Sequence, residues 1–325
     1  MTEPMHAAIS FVDFEPEPED FLSAVLDGLS RPQKTLPCKF LYDERGARLF
    51  EEICRLPEYY PTRAEHSIIK ERGPEIAALA GAGVTVIEFG SGSGIKTRAL
   101  LDALTAPKAY VAIDIARGAL LASTRALARE RPGLEVVAVC ADYGTNLDGL
   151  PVERTGASRR LGLFLGSTIG NFEPDDAVAF LAGARALLGP GGALLIGVDL
   201  WKDRAVLEAA YDDSRGVTAD FNLNLLRRIN RELGGNFELG AFRHEARCVD
   251  QTSRVEMHLV SQKPQQAVVA GRRLFFGDGE TIHTESSHKY VVDGFYAMAR
   301  AAGFAPRDTW LDRARRFSLH FLDVA

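Results

Sequence analysis

A dominant block of like charge, a long apolar run and a secretory signal are all missing from this 325-residue sequence. Its 38 basic and 44 acidic residues are intermixed, which leaves a net charge of -6. A nucleic-acid binder would gather lysine and arginine on one face, so we expect no nucleic-acid partner. No apolar run approaches the roughly 20 residues of a membrane span, and residues 1–20 lack the apolar core of a signal peptide. We therefore expect a cytoplasmic protein with no membrane partner.

Cysteine is scarce, and the few cysteines form no pair of the kind that binds zinc. They are Cys38, Cys54, Cys140 and Cys248, which are far apart in the sequence. This spacing argues against a disulfide framework and against a structural zinc site, and reduced thiols fit a reducing compartment. The histidines show no metal-binding spacing either, so we expect no metal ion.

What remains is ordinary globular composition, with 46% hydrophobic and 25% charged residues. A chain of this length forms one large domain or two modest ones. Short apolar runs alternate with helical periodicity in its middle part, which predicts a parallel, doubly wound sheet covered on both faces. The predicted strands are 84–89, 109–113, 134–141, 161–165 and 193–199.

This alternation stops near residue 201, which predicts a second part of different architecture. Helical patterns there are followed by three strand candidates at 237–249, 253–262 and 266–276. The chain then ends with a predicted helix and two strands, at 290–302, 304–311 and 317–324. The shift near residue 200 and the return of this pattern near residue 288 suggest a nested organisation.

The nested pattern predicts an α/β protein with a second, smaller α+β lobe. We expect a loose N-terminal tail over residues 1–18. The doubly wound domain should comprise residues 64–199 plus 289–325, and the second lobe residues 19–63 plus 200–288. The sequence does not determine the oligomeric state, and a monomer is the simplest expectation.

A glycine-rich turn follows the first predicted strand, with Gly90, Gly92 and Gly94 at alternate positions after Glu88. Glycine adopts backbone angles that other residues avoid, and it lets a ligand approach the main chain closely. Dinucleotide oxidoreductases also place glycines here, but in the spacing G-x-G-x-x-G. The observed G-x-G-x-G after an acidic residue resembles class I methyltransferases. We therefore predict S-adenosylmethionine as the cofactor, with an NAD-dependent oxidoreductase as an alternative.

Polar side chains at the neighbouring strand ends support this cofactor. Asp114 ends the second strand, where it either accepts the ribose hydroxyls of an adenosine or caps a helix. Asp142 follows the third strand, where its carboxylate can accept the adenine amino group while Tyr143 covers the ring. Lys96 either reaches the methionine carboxylate of the cofactor or stays solvated on the first helical turn. Because the carboxyl ends of parallel strands meet at one edge, we predict one cleft.

Longer motifs occur from Leu56 onward, and they are more specific than any glycine pattern. They are Leu56-Pro-Glu-Tyr-Tyr-Pro-Thr-Arg63, Gly166-Ser-Thr-Ile-Gly-Asn171, Tyr211-Asp-Asp, Gly216-Val-Thr and Phe221-Asn222. Together they resemble the histidine Nα-methyltransferases of ergothioneine biosynthesis, and the resemblance extends from about Leu36 to the C-terminus. It implies a Rossmann-like class I methyltransferase sheet with a substrate-binding lobe. The implied reaction converts L-histidine into its trimethylated betaine, hercynine.

The resemblance also implies a role for each matching residue. Asn171 and Tyr211 would hold the α-carboxylate and orient the amine as catalytic residues, together with Tyr59 in the same pocket. Three further substrate residues are implied: Glu285 and Ser287 would bind the imidazole, and Met257 would pack near the ring. The implied cofactor positions include those already described: Gly90, Gly92, Lys96, Asp114, Asp142 and Tyr143.

Other interpretations stay open at this point. A methyltransferase for another amino acid, such as tryptophan, would share the fold, although Glu285 and Met257 suit an imidazole better than an indole. Without the family resemblance, a surface ion pair with Lys289 would be the preferred interpretation of Glu285. A binding protein without catalytic activity is a third alternative.

Overall fold

A computed structural model describes residues 9–14, 21–92, 94–144 and 159–325. Its strands are β1 Ser10–Asp13, β2 Lys34–Thr35, β3 Thr85–Phe89, β4 Ala109–Asp114, β5 Glu135–Cys140, β6 Arg160–Phe164, β7 Ala193–Asp199, β8 Phe242–Val249, β9 Arg254–Ser261, β10 Gln265–Val269, β11 Arg272–Phe276, β12 Thr281–His288, β13 Phe304–Leu311 and β14 Phe317–Val324. Its α-helices are α1 Phe21–Ser30, α2 Glu44–Ile53, α3 Pro61–Ala80, α4 Ile95–Ala103, α5 Arg117–Glu130, α6 Pro174–Leu188, α7 Arg204–Tyr211, α8 Val217–Glu232 and α9 Val292–Ala301. Within the described ranges, no helix has the length and apolar character needed to cross a bilayer.

The chain divides into two units, and each unit is assembled from separate stretches of sequence. Unit 1 contains Met1–Pro16, Pro61–Leu200 and Tyr290–Ala325. Unit 2 contains Glu17–Tyr60 and Trp201–Lys289. These boundaries lie within three residues of the nested boundaries expected from the sequence. The assignment of one unit to the cofactor and the other to the substrate stays a prediction.

Unit 1 is built around an eight-stranded sheet in the order β1-β5-β4-β3-β6-β7-β14-β13. The strands from β1 to β7 in this order pair in parallel, whereas β14 pairs antiparallel with β7 and β13 pairs antiparallel with β14. Strand β3 has no exposed residue, as expected for a parallel strand covered on both faces. Separate apolar clusters cover the two faces. The doubly wound α/β fold predicted from the sequence is thus confirmed.

The expected loose tail is wrong for residues 10–13. Strand β1 extends the edge of the sheet, with Ser10 opposite Val137 and Asp13 opposite Cys140. Ile9 and Phe11 pack against the apolar core beneath the sheet, so burial of alternate side chains holds this short strand in place. The rest of the predicted tail, residues 1–8 and 15–18, lies outside the described residues.

Unit 2 contains a four-stranded sheet in the order β2-β12-β9-β8, with a separate β10–β11 hairpin. The sequence predicted one strand over 266–276, but the chain turns at Ala270 and Gly271, whose φ angles are +46° and +79°. Such angles favour glycine and interrupt a strand. Strand β12 was not predicted, because its polar run from Thr281 to His288 lacks an alternating apolar pattern.

Candidate active site

The glycine turn after β3 has left-handed backbone angles at all three glycines. The φ angles of Gly90, Gly92 and Gly94 are +76°, +45° and +67°, which residues with a Cβ rarely adopt. A Cβ on Gly92 would meet no atom within 4 Å, so open space lies over that residue. Ser93, in the same turn, lies outside the described residues. The turn therefore exposes main chain on the side where a ligand can approach.

Glu88 of β3 is buried behind this turn. Its carboxylate accepts hydrogen bonds from Oγ1 of Thr97 at 2.6 Å and from the hydroxyl of Tyr110. Burial raises the pKa of Glu88 to about 7, and both hydrogen bonds act in the opposite direction. The acidic residue before the glycines thus joins β3 to α4 and β4, and its side chain is directed into the protein.

Asp114 lies at the carboxyl end of β4, beside the glycine turn. Its Oδ1 accepts the backbone N–H of Ala116 at 2.9 Å. Burial raises the pKa of Asp114, whereas hydrogen bonds from backbone N–H groups, including those of Ala116 and Gly92, lower it. Asp114 therefore bonds the residue just before α5 and also contacts the glycine turn, and its binding to a ribose stays a prediction.

Asp142 and Tyr143 follow β5 at the same edge of the sheet. Oδ1 of Asp142 accepts the backbone N–H of Gly144 at 2.8 Å. The ring of Tyr143 packs edge-on against Phe164, with the centroids 5.9 Å apart. Its hydroxyl would lie 3.3 Å from a Cβ on Gly90. The structure thus brings the two loops after β3 and β5 together, as the sequence predicted.

Lys96 is partly exposed, and a buried carboxylate holds its ammonium group. Its Nζ lies 2.5 Å from Oε2 of Glu65, whose side chain is completely buried. Glu65 also accepts the backbone N–H of Gly166 with both oxygens, at 3.0 and 2.8 Å. Glu65 was not among the predicted site residues. Its spacing from Ile68 and Ile69, three and four residues on, gives the signal, since it places a carboxylate on the buried face of α3.

Asn171 belongs to unit 1, whereas the other predicted substrate residues belong to unit 2. It ends the short 3-10 turn Thr168–Asn171 that follows β6. This turn begins after Ser167, whose φ of +58° is unusual for a residue with a Cβ. The hydroxyl of Ser167 accepts the backbone N–H of Asp199 at 2.9 Å, which fixes the turn against the end of β7.

Five predicted substrate residues come together in unit 2: Tyr59, Tyr211, Met257, Glu285 and Ser287. Glu285 of β12 lies opposite Met257 of β9 in the antiparallel register. The rings of Tyr59 and Tyr211 meet edge-on, 6.2 Å apart. The hydroxyl of Tyr211 donates to Oγ of Ser287 at 2.8 Å.

Glu285 does not form the surface ion pair that was one interpretation of its spacing from Lys289. The two residues are only 8% and 3% exposed. Burial raises the pKa of Glu285 to about 7, and the positive charge of Lys289 acts in the opposite direction. Oε2 of Glu285 has no hydrogen-bond partner within the described part of the chain. A buried carboxylate oxygen of this kind is a binding position for a donor group.

Residues 21–324 match the model of a family described as SAM-dependent, histidine-specific methyltransferases. The chain belongs to this family. The histidine N-alpha-methyltransferase of Mycolicibacterium smegmatis is 42% identical over 297 residues, which cover 90% of this chain and 91% of that protein. Ergothioneine biosynthesis protein 1 of Neurospora crassa is 37% identical over 308 residues, or 93% of this chain and 35% of the longer fungal protein. The L-tryptophan methyltransferase of Psilocybe serbica is 30% identical over 328 residues, or 91% of each chain.

A histidine-specific methyltransferase holds S-adenosylmethionine, and the side chains of unit 1 fit that molecule chemically. Gly92 leaves open space over the main chain. Asp114 supplies carboxylate oxygens, which suit hydroxyl donors such as those of a ribose. Tyr143 supplies an aromatic surface beside the glycine turn. The family assignment excludes the NAD-dependent oxidoreductase that the fold alone left open.

Proposed function

We propose that this chain transfers methyl groups from S-adenosylmethionine to the α-amino nitrogen of L-histidine, forming hercynine for ergothioneine biosynthesis. The family and the relatives named for histidine methylation and ergothioneine biosynthesis support this reaction. The structural observation that supports histidine is the buried Oε2 of Glu285, which no described residue pairs. The N–H group of an imidazole supplies the missing donor.

In this proposal, Glu285 and Ser287 bind the two imidazole nitrogens, and Met257 packs beside the ring. Glu285 and Ser287 are two residues apart on β12, so their side chains emerge on the same face. The thioether of Met257, opposite Glu285 in the register, supplies an apolar contact without competing for hydrogen bonds. A phenylalanine or leucine substrate would leave the buried carboxylate unpaired and would therefore bind poorly.

Tyr59, Tyr211 and Asn171 are proposed to hold the amino acid backbone, with Asn171 and Tyr211 on the α-carboxylate and amine. Burial and the nearby Tyr211 raise the pKa of Tyr59 well above its ordinary value, so its phenol stays neutral. The attacking amine must be neutral, and a carboxylate beside it would favour the ammonium form. Neutral hydroxyl and amide groups orient the amine without stabilising that form, and solvent can accept the proton before attack.

The cofactor supplies a methyl group on a positively charged sulfur, so the main task of the protein is alignment. We propose that Asp114 binds the ribose hydroxyls and that Asp142 and Tyr143 bind the adenine. Lys96, held by Glu65, is directed to the methionine carboxylate in this proposal. The proposed cofactor residues are Gly90, Gly92, Lys96, Asp114, Asp142 and Tyr143.

A substrate panel tests the reaction. The protein is incubated with S-adenosylmethionine and either histidine, tryptophan or phenylalanine, and the products are analysed by mass spectrometry. We expect three added methyl groups on histidine. Tryptophan as the preferred substrate would place the chain with the Psilocybe relative instead, and no methylation of histidine would refute the proposal. Asn171→Ala should lose most activity while S-adenosylhomocysteine still binds in calorimetry.

We also propose that the enzyme acts in the cytoplasm. The four cysteines are present as thiols, and Cys140 and Cys248 are buried. Free thiols are typical of proteins in reducing compartments. Fractionation of cells followed by detection with an antibody tests the location, and recovery with secreted protein would contradict it.

A further inference from the structure

Lys289 is a buried lysine to which neither the motifs nor the proposed reaction assigns a role. Only 3% of its surface is exposed. Its Nζ donates to the hydroxyl oxygen of Tyr211 at 2.7 Å and to Oγ of Ser287 at 2.9 Å. The same atom lies 4.6 Å from the centre of the Tyr211 ring. Because burial of an ammonium group is costly unless it is paired, these contacts hold Lys289 in the cluster.

The hydroxyl of Ser287 accepts two hydrogen bonds in this cluster. One comes from Lys289 and the other from the hydroxyl of Tyr211, at 2.9 and 2.8 Å. A serine hydroxyl has two acceptor positions and one proton, so its remaining capacity is that of a donor. No described residue accepts this proton. Ser287 therefore presents an O–H group to a ligand.

Glu285 presents the complementary group on the same face of β12. Its Oε2 is a buried acceptor with no partner among the described residues. One acceptor and one donor match a neutral imidazole, which has one N–H group and one bare nitrogen. An imidazolium has two N–H groups, so one of them would face the proton of Ser287. The positive charge of Lys289 would repel that ring as well.

We propose that Lys289 is a positioning residue that makes Ser287 a hydrogen-bond donor and thereby selects the neutral form of the histidine ring. This inference rests on the proposed function, since it requires that Glu285 and Ser287 bind the imidazole. Lys289 acts through Ser287 and Tyr211, and no contact of its own with the substrate is needed.

Cys38 and Tyr59, two titratable groups that feel the charge of Glu285, stay in one form over the relevant pH range. Burial, followed by the charge of Glu285, raises the pKa of the Cys38 thiol to about 12. Burial and Tyr211 raise the pKa of Tyr59 well above its ordinary value. Neither group titrates between about pH 5.5 and 7.5, where histidine itself gains a proton. Glu285 does titrate within this range, and it acts on any ligand bound at the same position.

A comparison of two ligands isolates the protonation of the ring. Histidine and 1,2,4-triazolylalanine, whose ring stays neutral over this range, are titrated by calorimetry into the enzyme saturated with S-adenosylhomocysteine. The ratio of their Kd values cancels effects of Glu285 and of the α-amine, because both ligands share them. We expect the ratio of Kd for histidine to Kd for the triazole to rise about tenfold from pH 7.5 to 5.5, as the imidazole protonates.

Variants assign that pH dependence to Lys289. In Lys289→Met one lone pair of Ser287 becomes available, so the hydroxyl can also accept a hydrogen bond, and the ratio should become nearly independent of pH. Lys289→Arg keeps a cationic donor and should retain the dependence. Lys263→Met removes an exposed lysine that pairs with Glu238, and it serves as the matched control. If Lys289→Met does not fold, Ser287→Ala tests the same hydrogen bond from Ser287 to the ring. In that variant too, the ratio of Kd values should become nearly independent of pH.

Two results would overturn the inference. A ratio independent of pH in the unmodified enzyme would show that the charged ring binds as well as the neutral one. A ratio that rises equally in the unmodified enzyme, Lys289→Met and Ser287→Ala would show that Lys289 does not set the preference. Failure of the proposed function looks different, because histidine would then neither bind at pH 7.5 nor be methylated.

Discussion

The buried carboxylate of Glu65 binds the backbone N–H of Gly166 with both of its oxygens, at 3.0 and 2.8 Å. The same carboxylate lies 2.5 Å from Nζ of Lys96. One side chain of α3 thereby fixes the loop after β6 and the first turn of α4. Gly197 of β7 accommodates it, since a Cβ there would lie 1.8 Å from Oε1 of Glu65.

Removal of the cation from this pair should destabilise the protein strongly. Lys96→Met leaves the charge of Glu65 buried without its cation, which costs about 3 kcal/mol in comparable sites. Urea unfolding measures the loss, and Glu65→Gln combined with Lys96→Met should recover part of it. Lys263→Met, which breaks an exposed pair, should cost less than about 1 kcal/mol. Equal losses of unfolding free energy in Lys96→Met and Lys263→Met would show that the buried pair contributes no more to stability than the exposed one.

Asp114 should control affinity for the cofactor. A hydrogen bond to a charged group contributes about 1.5–3 kcal/mol, so Asp114→Ala should weaken binding of S-adenosylhomocysteine by about 10- to 150-fold in calorimetry. Asp102→Ala, on an exposed carboxylate paired with Arg131, serves as the control and should bind normally. Unchanged affinity in Asp114→Ala would remove this residue from the cofactor site.

Glu285 should decide the preference for histidine. Glu285→Gln replaces an acceptor oxygen by a donor amide at one position. We expect kcat/KM for histidine to fall by about 10- to 150-fold, which corresponds to a loss of about 1.5–3 kcal/mol of transition-state stabilisation. Since the pKa of Glu285 is about 7, the residue gains its charge as the pH rises through 7. The ratio of kcat/KM in the unmodified enzyme to kcat/KM in Glu285→Gln should therefore rise over the same pH range. Ser286→Ala, on the opposite face of β12, is the control. If the ratio of kcat/KM in the unmodified enzyme to kcat/KM in Glu285→Gln does not change with pH, Glu285 does not have this role.

Two glycines should respond to alanine in opposite directions. A Cβ on Gly46 would lie 1.7 Å from the carbonyl oxygen of Leu41, so Gly46→Ala should lower the free energy of unfolding by about 1–3 kcal/mol. A Cβ on Gly118, in helix α5, would meet nothing within 4 Å. Gly118→Ala should therefore stabilise the protein by about 0.5–1 kcal/mol. Denaturant unfolding of both variants measures the two changes in the free energy of unfolding. A Gly46→Ala variant as stable as the unmodified protein would contradict the prediction for Gly46.

His320 should make stability depend on pH. Burial lowers its pKa to about 3 from 6.5, so the unfolded chain binds a proton that the folded chain excludes. Its contribution is fully present above pH 6.5 and is lost progressively as the pH falls toward 3, by about 1.4 kcal/mol per pH unit. Unfolding at several pH values should give a shallower dependence for His320→Asn. If the free energy of unfolding depends on pH equally in the unmodified protein and in His320→Asn, His320 is not the cause of the dependence.

The unit 1 sheet was largely predictable because parallel strands covered on both faces leave continuous apolar runs. The predicted bounds of β7, β13 and β14 agree with the structure to the residue. The polar strand β12 was missed because its sequence lacks an alternating apolar pattern, and it is held in the sheet by pairing with β9 and β2. Strand β1 was missed because its four residues acquire order only by pairing with β5.

The candidate site was predictable where a motif or a strand end marked the residue. The roles of Glu65 and Lys289 were not predictable in this way, since burial of a charged side chain depends on partners distant in sequence. Lys289 pairs with Tyr211, 78 residues earlier, and Glu65 reaches Gly166, 101 residues later. A local sequence pattern does not reveal partners that are so far apart in the chain.

The position of β14 between β7 and β13 has a consequence for biosynthesis. Strand β7 ends at Asp199, whereas its partner β14 begins only at Phe317. A nascent chain on the ribosome therefore carries β7 with an unpaired edge while all of Trp201–Lys289 is being made, and such edges invite aggregation. A premature stop codon before Phe317 would leave that edge open permanently. We expect the truncated product to be cleared or to aggregate.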